Sequence, residues 1–246
     1  MGVKDICVNE NSKFLLFNNK PYNNYSWDKD FPPLYSHTSI SSLKRCPGFD
    51  DAKKGNIKAA LLVTGLSVKS KRINEIKEKY PSAVLLPIMS NNKLPEALAR
   101  IIGLEIYFGI HKVETVKRKG LSAMERLLYK PQFRGSVPKG KNYIIVDDIV
   151  TQGSTVSALR QFVLSQGGFV IAVATLAHSA GSGVIAPNPE GVHKLAEKFD
   201  YLCLIEILRS YHIADDLSEM TNSQIRYLTR FKTIERLVKK INKCLY

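Results

Sequence analysis

Residues 144–155 read Ile-Ile-Val-Asp-Asp-Ile-Val-Thr-Gln-Gly-Ser-Thr: an apolar run, two adjacent acids, then a small polar turn. On a buried parallel strand, Asp147 and Asp148 would emerge at the carboxyl end, where open α/β sheets bind ligands. The turn from Thr151 to Thr155 offers hydroxyls and backbone N–H groups at the start of a helix, which suits an anion. The pattern therefore predicts a sugar-phosphate site, with the acids on ribose hydroxyls or a metal. An ordinary strand end with a polar turn is the alternative.

Strands and helices alternate around this stretch. Apolar periodicity predicts the following strands and helices: strands at 83–88, 105–109, 143–150 and 169–176, and helices at 95–102 and 154–165. In the second helix, Val156, Leu159, Phe162 and Val163 share one face, as packing on a sheet requires. This order predicts an α/β fold built on a parallel sheet with right-handed crossovers.

The segments on the amino-terminal side are less regular. Residues 1–55 are rich in Asn, Lys, Tyr and Pro, which predicts loops with short strands or helices. Residues 57–67 begin as a strand-like run that breaks at Gly65, and a charged helix is predicted over 69–79.

After the last predicted core strand the composition changes. A helix is predicted over 192–198, and the aromatic and Cys content of 201–208 favours a strand. Residues 222–246 predict one or two basic amphipathic helices. Their buried stripe would consist of Ile225, Leu228, Ile234, Leu237, Val238 and Ile241.

A long polar link, residues 110–142, separates two of the predicted strands. Links of this length are unusual in a compact domain unless they are functional. This one is basic, since it contains Lys112, Lys117, Arg118, Lys119, Arg126, Lys130 and Arg134. It predicts a mobile lid that closes over a charged substrate.

Composition limits the classes of protein. The 246 residues are 44% hydrophobic, with no apolar run near the ~18 residues that span a bilayer. The amino terminus lacks the apolar core of a secretory signal, so a cytoplasmic location is expected. The four cysteines and five histidines show no metal-ligand spacing, and reduced thiols are expected. The net charge of +14 favours phosphate-rich partners, either phosphorylated substrates or nucleic acid.

The stretch at 144–155 resembles the ribose-5-phosphate motif of type I phosphoribosyltransferases, in which paired acids precede Thr-Thr-Gly-x-Thr. Residues 83–178 further resemble the ComF branch of that superfamily, which includes amidophosphoribosyltransferase-like proteins. The matching segments are Leu85-Leu86-Pro87-Ile88, Leu98-Ala99-Arg100, the Gly-Leu-Ser-x-x-x-Arg segment Gly120–Arg126, Phe133, and Gly140-Lys141 before the acids. The resemblance covers about two fifths of the chain, but the cysteines cannot supply the four-cysteine zinc module usual in ComF proteins.

The resemblance implies a domain order and an activity. It implies a loop-rich hood or cap at 1–80, a phosphoribosyltransferase core at 81–178, and a partly helical basic extension at 179–246. The activity implied is that of a phosphoribosyltransferase enzyme with Mg²⁺ as cofactor. It would bind phosphoribosyl pyrophosphate or a nucleotide and transfer or remove ribose-5-phosphate at a nitrogen acceptor of unknown identity.

The resemblance also implies roles for individual residues. Asp147 and Asp148 would be the catalytic acids and would hold Mg²⁺, directly or through water or the ribose. The 5′-phosphate would lie on Thr151, Gln152, Gly153, Ser154 and Thr155. Gln152 stands where Thr or Ala is common, so its contact would use the backbone N–H. Pyrophosphate would lie on a shortened loop, Ser90, Asn91, Asn92 and Lys93, and the flexible loop would contribute Lys119 and Arg126.

A second class of function stays open at this point. Members of the superfamily that act as regulators keep the ligand pocket, and ComF-like domains occur in DNA uptake and in retron and other mobile-element defence loci. The chain could therefore be a nucleic-acid-associated regulatory or effector module, with DNA or RNA as partner and a homodimer as one expected assembly. A basic nucleic-acid face would be formed by Arg226, Arg230, Lys232, Arg236, Lys239, Lys240 and Lys243, for which a solvated helix side is the alternative.

Overall fold

The computed structural model describes residues 32–113, 120–179 and 185–245. These residues form two compact units. The sheet unit contains the described residues from 32 to 113 and from 131 to 185, and the helical unit contains 120–130 and 186–245. Among the described residues, every helix is too short or too polar to cross a membrane.

The described residues of the sheet unit form six strands and six helices. They are β1 (Leu34–Thr38), α1 (Ile40–Lys44), α2 (Phe49–Lys53), α3 (Ile57–Ser67), α4 (Ser70–Lys79), β2 (Val84–Pro87), α5 (Leu94–Ile102), β3 (Ile110–Val113), β4 (Gln132–Gly135), β5 (Asn142–Val150), α7 (Ser154–Ser165) and β6 (Phe169–His178). The helical unit consists of α6 (Ala123–Leu128), α8 (Pro189–Phe199), α9 (Tyr201–Ser210), a short 3₁₀ helix (Leu217–Glu219), α10 (Asn222–Leu228) and α11 (Ile234–Leu245).

The main sheet has four strands in the order β1-β6-β5-β2, and all three pairings are parallel. β5 is central and buried on both faces, as its Ile-Ile-Val run requires. The predicted α/β class with a parallel sheet is therefore confirmed. β1 is an edge strand of this sheet and comes from residues that precede the predicted core. The predicted division into 1–80, 81–178 and 179–246 itself stays a prediction.

Helix α5 shows how local sequence sets the boundaries of an element. Pro95 lies in its first turn, where a missing N–H costs nothing, and Gly103 follows its end with φ 74°. The face with Ala97, Leu98 and Ile102 is fully buried in the core of the sheet unit. The helix therefore fixes where the preceding loop, residues 88–93, can lie.

The helical unit has its own apolar core. Capping boxes start α6 at Ser122 and α10 at Thr221, where each hydroxyl accepts a backbone N–H of the next turn. Within this core, Ile225, Leu228, Leu237 and Ile241 are buried, with Ile234 and Val238 packed against them. The predicted amphipathic helices and their stripe are confirmed.

Three secondary-structure predictions are wrong. Residues 57–67 form helix α3, which continues through Gly65, and 201–208 lie in helix α9. Both runs are apolar on several faces, so periodicity could not separate a strand from a buried helix. Residues 105–109 form a single parallel bridge, Leu85↔Ile106, before the chain leaves the sheet.

The long link is not an irregular loop throughout. β3 and β4 form an antiparallel hairpin in which Ile110 lies opposite Gly135, and α6 lies between them in the chain. Gly135 has φ 117°, and a Cβ there would collide with the carbonyl oxygen of Gly109.

The expectation of reduced thiols is wrong at Cys203, which is disulfide-bonded, whereas Cys46 and Cys244 are free.

Candidate functional site

The parallel strands bring the predicted ligand-binding segments to one edge of the sheet. Pro87 lies opposite Val146, and the N–H of Ile88 donates to the carbonyl oxygen of Val146 at 2.9 Å. The loop after β2 is therefore next to Asp147 and Asp148 on β5. On the other side of β5, Asp147 lies opposite Thr175 of β6.

The two acids are buried at this edge. Asp147 is 9% exposed and Asp148 is 6% exposed. The N–H of Asp148 donates to Oδ1 of Asp147 at 2.9 Å, and the Thr175 hydroxyl donates to the carbonyl oxygen of Asp148 at 3.0 Å. Buried carboxylates are costly unless they have partners, so this pair is unusual for a plain strand end.

The surroundings of Asp147 disfavour the charged form of its carboxyl group. Its removal from water, and the neighbouring carboxylate of Asp148, raise the pKa of Asp147 to about 8. Both causes disfavour a second negative charge in the same place. A cation or a set of hydroxyl donors would relieve that repulsion, so the pair is suited to binding either.

Lys53 supplies a positive charge that the sequence did not reveal. Its Nζ lies 2.6 Å from Oδ2 of Asp148, although the two residues are 95 positions apart in the chain. Lys53 ends helix α2, whose Ala52 is fully buried. No motif marks Lys53, and the segment that contains it was predicted to be a loop-rich cap.

The polar turn leads from β5 into α7 through Gly153. Gly153 is the residue that precedes the helix, with φ 74° and ψ 2°, a left-handed conformation that favours glycine. The first N–H groups of a helix have no acceptors within that helix, and the helix dipole favours an anion there. Ser154 is buried and Thr155 is half-buried at this end of α7. Gly153 therefore leads the chain directly from the strand end into the start of α7.

The start of this turn is tied to β6. Ser179 follows β6, its N–H donates to the carbonyl oxygen of Val150 at 3.0 Å, and its hydroxyl donates to that of Thr151 at 3.1 Å. Thr151 itself is exposed, and Gln152 is half-buried. The two hydrogen bonds hold the turn beside the strand end.

The predicted pyrophosphate loop packs on the end of α2. The N–H of Lys93 donates to the carbonyl oxygen of Ala52 at 3.0 Å, and Nδ2 of Asn91 donates to that of Lys54 at 3.2 Å. Ser90 accepts the N–H of Asn92 at 3.2 Å, which closes the loop locally. The Lys93 ammonium pairs with Glu96 at 3.2 Å.

The two residues predicted for the flexible loop are outside the described residues of the sheet unit. Lys119 lies outside the described residues. Arg126 is on α6 in the helical unit, where its Nε donates to the carbonyl oxygen of Leu121 at 3.1 Å.

The donor set of the edge fits Mg²⁺. In the described part of the chain, three or more His, Cys, Asp or Glu side chains nowhere gather as a metal site. Asp147 and Asp148 supply two carboxylates, and Mg²⁺ is commonly held by one or two carboxylates together with water and substrate phosphates. The pair therefore suits a magnesium ion whose other ligands come from water and from the phosphates of a bound molecule.

Comparison with known sequences gives two relatives. No model of a known protein family matches the chain. It is 29% identical over 180 residues to a protein named TraN of Escherichia coli, a match that covers 69% of this chain and 40% of that protein. It is 28% identical over 168 residues to an uncharacterized protein of Haemophilus influenzae, covering 64% and 38%. The chain thus spans about two fifths of the length of these curated relatives.

Comparison with solved structures gives weak matches. An adenine phosphoribosyltransferase is 19% identical with a TM-score of 0.33, covering 45% of this chain and 69% of that one. A purine phosphoribosyltransferase of Pyrococcus horikoshii is 18% identical with a TM-score of 0.33, covering 63% and 84%. A hypothetical protein of Neisseria gonorrhoeae with bound ppGpp is 14% identical with a TM-score of 0.33, covering 62% and 77%.

Proposed function

We propose that the sheet unit has the type I phosphoribosyltransferase fold and binds phosphoribosyl pyrophosphate or a nucleotide at the edge described above. One observation supports this most directly. A buried acid pair, a glycine-initiated helix start and the loop at 88–93 all lie at the carboxyl edge of one parallel sheet. The resemblance of residues 83–178 to ComF proteins supports the same assignment at the finer level of the branch.

Each part of the edge has a role in this proposal. The carboxylates of Asp147 and Asp148 accept hydrogen bonds from the ribose hydroxyls. The turn from Thr151 to Thr155 binds the 5′-phosphate through its N–H groups and hydroxyls. Ser90, Asn91, Asn92 and Lys93 face the pyrophosphate. Mg²⁺, when bound, adds positive charge beside the phosphate oxygens.

The reaction proposed is a transfer of ribose-5-phosphate. The bond between C1 of the ribose and pyrophosphate breaks, a nitrogen nucleophile bonds to C1 and loses its proton to solvent, and pyrophosphate leaves. In the reverse direction, pyrophosphate bonds to C1 of a nucleotide and the base leaves with a proton from solvent. Positive charge develops on the ribose ring as the bond breaks, and this charge favours the ionised form of the acid pair, which stabilises it in return. A regulatory module would use the same edge to bind a nucleotide without catalysing this transfer.

The decisive experiment replaces both acids. The double variant Asp147→Asn, Asp148→Asn is expected to lose detectable binding of phosphoribosyl pyrophosphate with Mg²⁺ in calorimetry, and to stay folded by circular dichroism. Asp50→Asn, Asp51→Asn is a matched control, because Asp50 and Asp51 are also adjacent acids of the sheet unit but are exposed. Unchanged affinity in the first variant would refute the site.

Turnover separates the enzyme from the regulatory alternative. The protein is incubated with phosphoribosyl pyrophosphate, Mg²⁺ and a panel of bases, and the released pyrophosphate is measured. Release that depends on one base and on Asp147 and Asp148 establishes a transferase. Binding without release would instead support the regulatory module.

A second candidate function, sequence-independent binding of DNA or RNA, is supported by the charges of the helical unit. Six exposed cations of α10, α11 and their connection make no salt bridge among the residues the structure describes, namely Arg226, Arg230, Lys232, Arg236, Lys239 and Lys243. Cations that are not paired internally remain available to phosphates. These cations belong to the helical unit, whereas the acid pair belongs to the sheet unit.

Neutralising part of that surface tests it. Gln in place of Arg236, Lys239, Lys240 and Lys243 should weaken retention of DNA or RNA and flatten its dependence on salt, with affinity for phosphoribosyl pyrophosphate unchanged. A control with the same loss of charge replaces four exposed lysines of the sheet unit by Gln: Lys58, Lys69, Lys71 and Lys77. Equal weakening by both sets would show that only total charge matters, and no retention by the wild type at low salt would exclude this function.

A further inference from the structure

Lys53 covers the carboxylate of Asp148. The ammonium lies 2.6 Å from Oδ2, the side chain of Asp148 is 8% exposed, and that of Lys53 is 39% exposed. Lys53 therefore lies between this carboxylate and solvent. A ligand that takes a coordination or hydrogen-bonding position at Oδ2 must compete with the ammonium.

The backbone that supports Lys53 is attached to the loop at 88–93. The residues on either side of it, Ala52 and Lys54, each accept a hydrogen bond from that loop, at 3.0 Å from Lys93 and 3.2 Å from Asn91. Gly55, with φ 107°, lets Asn91 approach closely, because a Cβ at Gly55 would lie 2.9 Å from Oδ1 of Asn91. The flexible stem of Lys53 therefore starts from a fixed point beside the segment proposed to face pyrophosphate.

We propose that Lys53 is a displaceable counter-ion of the acid pair, which leaves Asp148 for the anionic group that a ligand carries at C1. The inference rests on the proposed function and narrows its ligand class to sugar phosphates with a second anionic group at C1. Such a ligand offers the ammonium a new partner while its ribose or metal takes the carboxylate. A ribose phosphate that is uncharged at C1 leaves Lys53 on Asp148.

The chemistry of lysine suits this role. Its ammonium is a point charge on a stem with free rotation, so it can exchange one carboxylate or phosphate oxygen for another without a fixed bidentate geometry. The side chain of Asp148 is buried, so its carboxylate releases the ammonium only when the ribose or metal of the ligand takes the place of that partner. The same ammonium repels a divalent cation from the carboxylate.

The first test uses Mn²⁺ alone as the probe of the acid pair, by electron paramagnetic resonance titration. Lys53→Met keeps the length of the stem without the charge, and should bind Mn²⁺ about tenfold more tightly than the wild type, since a like charge next to the carboxylate is removed. Lys53→Arg keeps the charge and should match the wild type. Lys54→Met, an exposed neighbour, should also match it.

The proposal is overturned if Lys53→Met binds Mn²⁺ as tightly as the wild type or more weakly. It is also overturned if neither protein binds Mn²⁺ measurably. A purely structural ion pair would lower the Tm of Lys53→Met and leave Mn²⁺ affinity unchanged, and that result also overturns it.

The second test compares two ligands by calorimetry in the presence of Mg²⁺. Lys53→Met should lose about tenfold in affinity for phosphoribosyl pyrophosphate and change by less than twofold for ribose 5-phosphate. Equal losses for both ligands would overturn the proposal. If the wild type binds neither ligand, the proposed function fails, and the Mn²⁺ titration still decides the role of Lys53 as counter-ion.

Discussion

Replacing Gly153 by Ala tests the turn that starts α7. Gly153 has φ 74° and ψ 2°, and an L-residue in this left-handed region costs about 1–2 kcal/mol. The replacement also restricts the unfolded chain, which offsets about 0.4–1 kcal/mol of that cost. We therefore expect Gly153→Ala to lower the free energy of unfolding by about 1 kcal/mol, measured by urea denaturation.

The same change should affect the ligand more than the fold. If φ relaxes towards the ordinary right-handed region, the first N–H groups of α7 turn away from a common point. We expect the affinity for phosphoribosyl pyrophosphate to fall by at least about tenfold in calorimetry, because several N–H contacts to one phosphate are misaligned together.

Gly103 offers a matched control. It has φ 74° and ψ 27° at the end of α5, and a Cβ there would meet nothing nearer than 3.7 Å. Gly103→Ala should lose a similar stability and keep full ligand affinity. Binding by Gly153→Ala that is as tight as that of the wild type, or an equal loss of affinity in Gly103→Ala, would refute this role of the turn.

Two further predictions concern stability. Burial, with Lys69 and Arg72 nearby, lowers the pKa of His37 from its usual 6.5 to about 4. Below pH 6.5 the unfolded chain therefore gains a proton that the native protein resists, and stability is lost as the pH falls towards 4, by about 1.4 kcal/mol per pH unit. His37→Asn should remove this part of the pH dependence in urea denaturation between pH 7 and 5, and parallel curves for the two proteins would contradict it. In the helical unit, Leu237→Ala removes a fully buried side chain and should lower the free energy of unfolding by about 3 kcal/mol, measured by hydrogen exchange of the amides of α11. Leu245 is 43% exposed, so Leu245→Ala should lower it by less than about 0.5 kcal/mol. Similar losses in the two variants would contradict this packing.

The sequence predicted the central strand and its turn because those signals are local. The apolar run of β5, the acid pair and Gly153 are adjacent in the chain, and each restricts the backbone or its surroundings directly. Helix α7 was predicted over Ser154–Ser165, the range it occupies. Stripes with one clear period, as in α11, were also recognisable.

The rest depended on contacts between distant residues. Lys53 reaches Asp148 across 95 positions, and nothing in the neighbourhood of Lys53 indicates that partner. Helix α3 carries leucines on its exposed side as well, Leu62 being 53% and Leu66 62% exposed, so its run had no polar face to reveal a helix. Its one local signal was Asn56, whose side chain accepts the N–H of Ala59 and starts the helix.

Helix α6 reaches the core of the helical unit long before the rest of that core exists. Met124 and Leu127 are buried among side chains that follow residue 191, and the Tyr129 hydroxyl donates to the carbonyl oxygen of Cys244 at 3.4 Å. On a ribosome that adds roughly 5–20 residues per second, α6 waits on the order of ten seconds for α11. During that interval its apolar side chains have no native partners, so a nascent chain stalled before α8 would present them to chaperones and proteases.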